Sequence, residues 1–497
     1  MITLDGSLMV GDFSADGLHS ESDLFLRDGA TFKSVVRLNG AKIDGDVDMS
    51  GASLGGTLYA DSLRAGRSLF MYSDDQNKAS FKDVVLRGAK ITGQVSMVGA
   101  SLDGKLDASG LQASSLYMQS DGQNKARFKE VDLGSAKITG QINMSGASFD
   151  GTLDANSLQA GGDLLVSFVG QNKASFKDLD LRGAKITGHV FMAGASFDGR
   201  LHASFLQAGG NLFMGDDHCA REVDMVFAHV TGNLDLRGAT LAGLDLSGAS
   251  VAGDLALGEP GNPAVWKGNI RKPSPLNLRN THIGNLMDAR NAWPLPAQGQ
   301  LNLDGFSFNH LGGFEGETGA EMRGRGMDWW DKWARRDPGY SPAPYAQLAA
   351  ALTSAGDRDA ANEIRYLGRV RECETEKGLA GVLCGALQYV AGFGIGTYTF
   401  RVLYWVLGIS FLGALYLRTC AKGVGDEKHG FIWCFGASLS RLLPVITINK
   451  EFTDFFDDPQ RNYFTGWQSF IFSAMGIVGW VLGLILLGAV TGLTQSS

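Results

Sequence analysis

The chain repeats itself about every 48 residues, and a fixed period of that length marks stacked supersecondary units. G-A-K-I-x-G stands at Gly40–Gly45, Gly88–Gly93 and Gly183–Gly188, with a close copy at Ser135–Gly140. Q-N-K-A-x-F recurs at Gln76–Phe81, Gln123–Phe128 and Gln171–Phe176, and G-A-S-[LF]-x-G begins at Gly51, Gly99, Gly146 and Gly194. Each such unit buries its apolar face only against its neighbours.

Within a unit the apolar period is two. Ile91, Val95 and Met97 alternate with polar residues, as do Leu102, Leu106 and Ala108. Alternation in short runs means strands with one buried face. Gly-Ala and Asp-Gly pairs break the runs and supply corners. The 68 glycines fit a chain with many tight corners, and the 11 prolines exclude collagen. The expected fold is mainly β, a parallel β-helix or solenoid over residues 1–311, with two coils of roughly 24 residues per unit at the ~4.8 Å spacing of paired strands. The repeat weakens but continues through Asn233–Leu257, Leu276–Leu286 and Leu301–Phe308, with Gly258–Pro275 and Asn291–Gln300 read as loops. Leu4-Asp5-Gly6 aligns with Leu102-Asp103-Gly104 in mid-repeat. The chain therefore starts on an open strand edge, suited to pairing with another subunit or left by a shortened N-terminal region.

The pattern then changes. Residues 312–385 read as a helical adaptor. Trp329, Trp330 and Trp333 are expected to pack it on the solenoid end or rest at a membrane interface, a helix is expected from Ser341-Pro342 through Ser354, and a charged one over Arg358–Lys377. Residues 386–497 read as a membrane domain. Tyr398–Leu417 and Trp467–Leu493 are each long enough to cross ~30 Å of hydrocarbon. Between them Phe431–Ile448 is apolar but carries Arg441 and Pro444, and reads as an interfacial helix or a re-entrant pore element. Gly479, Gly483, Gly488 and Gly492 have the small-residue spacing of close helix packing, within one hairpin or between copies.

The formal net charge of −8 argues against a nucleic-acid partner. None of the five cysteines forms C-x-x-C, so no disulfide framework is signalled, and a reducing compartment is expected for most of the chain. No basic and apolar leader opens the sequence. The expected location is a bacterial inner membrane with the solenoid cytoplasmic. The expected partners are the lipid bilayer, a protein on the solenoid face and a second copy of the chain.

Three stretches carry a family resemblance: the G-A-K-I-x-G solenoid, Ser341-Pro342-Ala343-Pro344-Tyr345-Ala346-Gln347-Leu348-Ala349, and Ser440-Arg441-Leu442-Leu443-Pro444-Val445. With the closing Gly479-Trp480-Val481 to Thr491-Gly492-Leu493, they make nearly the whole chain resemble bacterial membrane-anchored, pentapeptide-repeat-like β-solenoid proteins commonly labelled membrane-associated oxidoreductase. The resemblance implies a solenoid tied to a membrane, and its label an oxidoreductase. It carries over no catalytic residue. Gly392-Phe393-Gly394-Ile395-Gly396 lacks the strand, G-x-G-x-x-G and helix order of a dinucleotide site, and no cofactor motif is present.

His189, His202, His218, Cys219 and His229 lie close together in sequence and interrupt the repeat, which makes them candidate metal ligands if neighbouring coils bring them together. Asn77, Asn124 and Asn172, with Lys78, Lys125 and Lys173, are expected to stack as columns, the lysines offset by Asp83, Glu130 and Asp178. No catalytic or cofactor-binding residue is assigned and no cofactor is expected. The leading functional expectation is a membrane-anchored binding, scaffold or sensing module. The alternatives are an oligomeric channel or membrane-perturbing effector with its pore element at 431–448, and the oxidoreductase of the family label.

Overall fold

The computed structural model describes residues 1–215, 219–267, 275–296, 300–312, 318–420, 429–443, 448–457 and 464–495. The chain divides into two units, Met1–Ala355 and Gly356–Ser497.

The first unit is a parallel β-solenoid of about 13 turns. Each coil gives two short strands to each of two sheets. In one coil these are Thr31–Phe32 and Val36–Arg37 in sheet 2, then Lys42–Ile43 and Val47–Asp48 in sheet 1. Pairing between coils is in register. Val47 meets Leu69 across a short coil, and Leu69 meets Val95 across a longer one. The repeating unit is therefore a short coil plus a long one, and the extra residues of the long coil are the Q-N-K insertion.

Inward positions form apolar columns, interrupted among the last rungs by the buried Thr281 and Asp288. Phe128, Phe149, Phe176 and Phe197 stack with ring centroids 5.2, 4.6 and 5.2 Å apart. Each ring is almost fully buried, contributing ~1.5–3 kcal/mol by area. Corners are closed by short polar side chains that accept the backbone N–H two residues on: Ser109 onto Asp107, Gly134 onto Asp132, Asn156 onto Asp154 and Val226 onto Asp224. This local bond satisfies backbone donors at the bend and explains the recurrent aspartate there.

Gly258–Pro275, expected as a loop, is partly ordered into the solenoid. Gly258–Glu259 and Asn262–Pro263 form an antiparallel hairpin, and Val265–Trp266 pairs in parallel with Thr240–Leu241. Trp266, an apolar anchor inside the insertion, is buried and donates its indole N–H to the Ala292 carbonyl.

Helices α1 (Thr318–Arg323), α2 (Met327–Ala334) and α3 (Ala343–Ser354) belong to the first unit. Trp330 and Trp333 are buried, and Trp333 meets Trp293 edge-on at 5.3 Å. The tryptophans thus pack the helices against the solenoid's last rungs. Beneath them Arg325 pairs with Asp288 at 2.7 Å and with Glu321 at 2.6 Å.

The second unit begins with α4 (Arg358–Thr375), capped by Asp357, which accepts from the Ala360 N–H. Within residues 312–385, α2 and α3 bury Trp330, Trp333 and Tyr345 and belong to the first unit, while α4 opens the second. Next come α5 (Leu379–Ala391), α6 (Arg401–Cys420), α7 (Phe431–Leu442), α8 (Lys450–Asp457) and α9 (Gly466–Gln495). Gly396–Thr419 and Gly466–Leu487 are long and apolar enough to cross a bilayer. Both leave large apolar side chains exposed, among them Tyr404, Leu412, Ile477 and Leu487.

Candidate functional site

The solenoid's chemistry lies in its outward columns, because the inward ones are apolar. On sheet 1 one column runs His19, Lys42, Arg64, Lys90, Gln112, Lys137, Gln159, Lys185, Gln207 and His229, one residue per coil, all exposed. The neighbouring column of the same sheet includes Phe70, Tyr117, Leu165, Phe191 and Phe213, half-buried. Phe191 and Phe213 stack at 5.0 Å. On sheet 2 the residues following Phe81, Leu102, Phe128, Phe149, Phe176 and Phe197 are Lys82, Asp103, Lys129, Asp150, Lys177 and Asp198, also one per coil and exposed.

The candidate metal residues are dispersed by this geometry. His189 stands in the bend of sheet 1, where its Nδ1 accepts the Asn211 backbone N–H at 2.9 Å and its own N–H bonds to Asp163. The same job is done by Asp23, Asp46, Asn211 and Asn233, each accepting from the next coil. His202 lies on sheet 2 between Asp180 and Asp224. His229 lies on sheet 1 between Gln207 and Ser250. His218 and the Cys219 side chain lie outside the described residues, and no group of three or more potential ligands occurs among the described ones. Asp180 titrates below the ordinary carboxylate range, since the Arg182 guanidinium and N–H outweigh the opposing effect of its burial.

The Q-N-K insertions do not form a continuous asparagine ladder. They recur on alternate coils, two rungs or ~9.6 Å apart, beyond amide-to-amide hydrogen bonding. Each asparagine sits instead over a glycine of an adjacent coil. At Gly99, with φ +65°, an added Cβ would lie 2.6 Å from the Asn124 Cβ, so both backbone and neighbour require glycine. The Asp74 and Asp121 carboxylates hold the first two insertions by accepting from Asn77 and Asn124 backbone N–H groups. The third, Phe168–Val169 with Asn172–Lys173, is a hairpin. An open groove of about 640 Å³ lies between it and the Gly258–Pro263 hairpin, bounded by Phe168, Lys173, Gly194, Gly238 and Asn262.

In the second unit α7 packs against both α6 and α9. A Cβ on Gly479 would collide with the Leu442 carbonyl, so α7 approaches the α9 backbone closely at Gly479. Gly413 of α6 faces Ser438 of α7 in the same way. Gly483 has no neighbour within 4 Å of an added Cβ among the described residues. Of Gly488 and Gly492 only the helical backbone is described. Arg441, at the end of α7, pairs with Asp457 of α8 at 3.3 Å and lies over the Phe456 ring. Pro444 lies outside the described residues.

Three features escaped the sequence reading. Phe205 and Phe227 stack at 5.4 Å, exposed, at corner positions with φ +59° and +55° where other coils carry glycine, serine or asparagine. A run of similar corners does not reveal which one bears an aromatic. Asp288 is fully buried, and burial raises its carboxyl to about 6 against the pull of Arg325 and the Trp293 N–H. Cys373 and Cys384 form a disulfide with Cα atoms 5.6 Å apart, joining α4 to α5. The expectation of no disulfide is corrected here, because the turn between two helices closes a gap of 11 residues that no spacing motif records.

The glycine run Gly392–Gly396 forms 3₁₀ turns, Gly392–Gly394 and Gly396–Phe400, leading into α6, not a strand-to-helix phosphate loop. No protein-family model matches the sequence, no curated protein matches it, and no solved structure matches the fold.

Proposed function

We propose that the protein is a membrane-anchored binding platform: α6 and α9 hold it in a bacterial-type inner membrane, and the outward columns of the solenoid engage a partner. The observation that supports this most is the contrast between the solenoid's largely apolar interior and its periodic, exposed outward columns, which present repeated chemistry on a fixed pitch. The disulfide bears on the side of the membrane. Cys373 and Cys384 precede α6, on the solenoid's side of it, and disulfides persist in oxidising compartments. Outside the spans Gly396–Thr419 and Gly466–Leu487, the segment between them carries Lys422, Lys428, Arg441, Lys450 and Arg461, whereas Lys377 is the one basic residue in 376–395. Basic loops stay cytoplasmic. Both arguments favour a solenoid outside the cytoplasm, the reverse of the side expected from the sequence.

Protease added to intact spheroplasts tests this. Digestion of the solenoid without lysis supports the reading. Protection until lysis overturns the orientation, and release from membranes by alkaline carbonate overturns the anchoring.

A channel is the second reading. It is favoured by α7 packing against both long helices, with the Ser410 and Ser438 hydroxyls buried and without hydrogen-bond partners among the described residues. Ion flux in liposomes, altered by Arg441→Ala or Pro444→Ala, would support it. Absence of flux from correctly inserted protein would remove it.

A further inference from the structure

We infer that the lysine column of sheet 1 is a docking face for an acidic polysaccharide, a chain of sugars carrying carboxylates at a spacing of two solenoid rungs. The inference rests on the binding-platform reading and names the chemistry of its partner.

The two sheets treat their lysines differently. On sheet 2, Lys82, Lys129 and Lys177 alternate rung by rung with Asp103, Asp150 and Asp198, so Lys129 and Lys177 have a carboxylate on the rung above and the rung below, and Lys82, which follows Gly55, has one on one side. On sheet 1, Lys90, Lys137 and Lys185 alternate with Gln112, Gln159 and Gln207. Glutamine spaces the lysines without neutralising them. Neither lysine triple forms an ion pair within 4 Å among the described residues, so the sheets differ in the charge of the intervening rung, aspartate on sheet 2 and glutamine on sheet 1. Across 90–213 the outward positions and bends of this sheet carry a single carboxylate, Asp163, and its Oδ1 is bonded to the His189 N–H. A protein of net charge −8 thus holds one uncompensated basic strip. Such a strip is complementary to a linear anion.

The pitch and the adjacent column select among linear anions. The lysines stand two rungs apart, ~9.6 Å, with amide donors and acceptors of the glutamines between them. A nucleic-acid duplex carries a phosphate about every 3.4 Å on each strand, too dense to match one lysine per two rungs. Hydroxyls between widely spaced carboxylates suit the glutamines, which both donate and accept. Tyr117, half-buried, flanks the strip and offers a ring for a sugar to pack on.

The test uses the full chain in nanodiscs, titrated calorimetrically with hyaluronate oligomers, which carry one carboxylate per disaccharide, and with polyphosphate and a single-stranded oligonucleotide. Wild type should bind hyaluronate in a salt-sensitive way. Lys90→Ala/Lys137→Ala/Lys185→Ala should weaken that binding at least tenfold. Lys82→Ala/Lys129→Ala/Lys177→Ala removes the same charge from the other sheet and should stay within twofold of wild type. Tyr117→Ala should weaken hyaluronate binding severalfold and leave any polyphosphate binding unchanged. These side chains are exposed or half-buried, so unchanged circular dichroism verifies the fold of each variant. Absence of hyaluronate binding by wild type overturns the inference. So does equal loss in both lysine triples, which would mean net charge alone acts. Equal or tighter binding of the oligonucleotide or polyphosphate on the same lysines assigns the strip to a phosphate polymer and also overturns it. All these outcomes leave the spheroplast test untouched, so the platform reading and this inference fail separately.

Discussion

The two sheets of the solenoid share a backbone, a pitch and an apolar interior, and differ in what they place outside. Sheet 2 sets lysine against aspartate on successive rungs, and sheet 1 sets lysine against glutamine. Parallel pairing brings identical columns within ~4.8 Å of one another, so each sheet must deal with like charges. Sheet 2 does so by neutralisation and sheet 1 by dilution. Neutralisation stabilises locally and leaves little field beyond the surface, whereas dilution leaves a field for something else to meet. The same fold thus yields one self-sufficient face and one that calls for a counter-ion.

If the sheets differ only outside, interior truncations should be equally damaging on both. Phe149→Ala in sheet 2 should lose ~3–5 kcal/mol and Leu164→Ala in sheet 1 ~2–5 kcal/mol of unfolding free energy, read from denaturant midpoints. A negligible cost at Leu164 would break the comparison, because sheet 1 would then not share the packed core. Next in size is the carboxylate that neither sheet exposes. Asp288 titrates near 3.8 when unfolded and about 6 when folded. Between those values the folded state holds the extra proton, so stability is highest below the lower value and falls as pH rises through the window. The drop should be ~3 kcal/mol. Denaturant melts at two pH values spanning the window should show it, and Asp288→Asn should flatten it. At the corner between the sheets, Gly99→Ala must adopt a left-handed φ and displace Asn124. A loss of ~1–2 kcal/mol is expected from backbone strain alone, checked by the thermal midpoint. The smallest stability effect sharpens the comparison most. Gln112→Asp/Gln159→Asp/Gln207→Asp copies the sheet 2 pattern onto sheet 1 and should change stability by no more than ~0.5 kcal/mol. It should also abolish hyaluronate binding in the calorimeter.

Much of this architecture is legible in the residues themselves. Alternation at Ile91, Val95 and Met97 marks inward columns, and Gly99 marks a corner, because both signals are local to a few residues. The helices at Ala343–Ser354 and Gly466–Gln495 announce themselves by spacing and by length. What stays hidden depends on coil length. His189, His202 and His229 are close in sequence, yet the winding assigns them to the bend of sheet 1, to sheet 2 and to an outward strand of sheet 1. Asn77 and Asn124 look like one column, yet an intervening short coil keeps them apart. Lys137 looked like a mere repeat marker. Its meaning lies in Gln112 and Gln159, one coil before it and one coil after, which only the register places beside it. The apolar helix Leu379–Ala391, with Leu379 and Val382 exposed, went unread because it is too short to cross a bilayer and carries no charged face to set its period.

The pairing of a short coil with a long one also governs how such a gene can lengthen. Duplicating a single coil would set lysine on lysine along sheet 1 and aspartate on aspartate along sheet 2, and would put the next insertion out of step. Duplicating the pair extends both patterns without altering either. Growth by whole two-coil steps is therefore the conservative route, and the number of binding positions along the strip becomes a heritable count, adjustable by recombination between near-identical segments while every position keeps its chemistry.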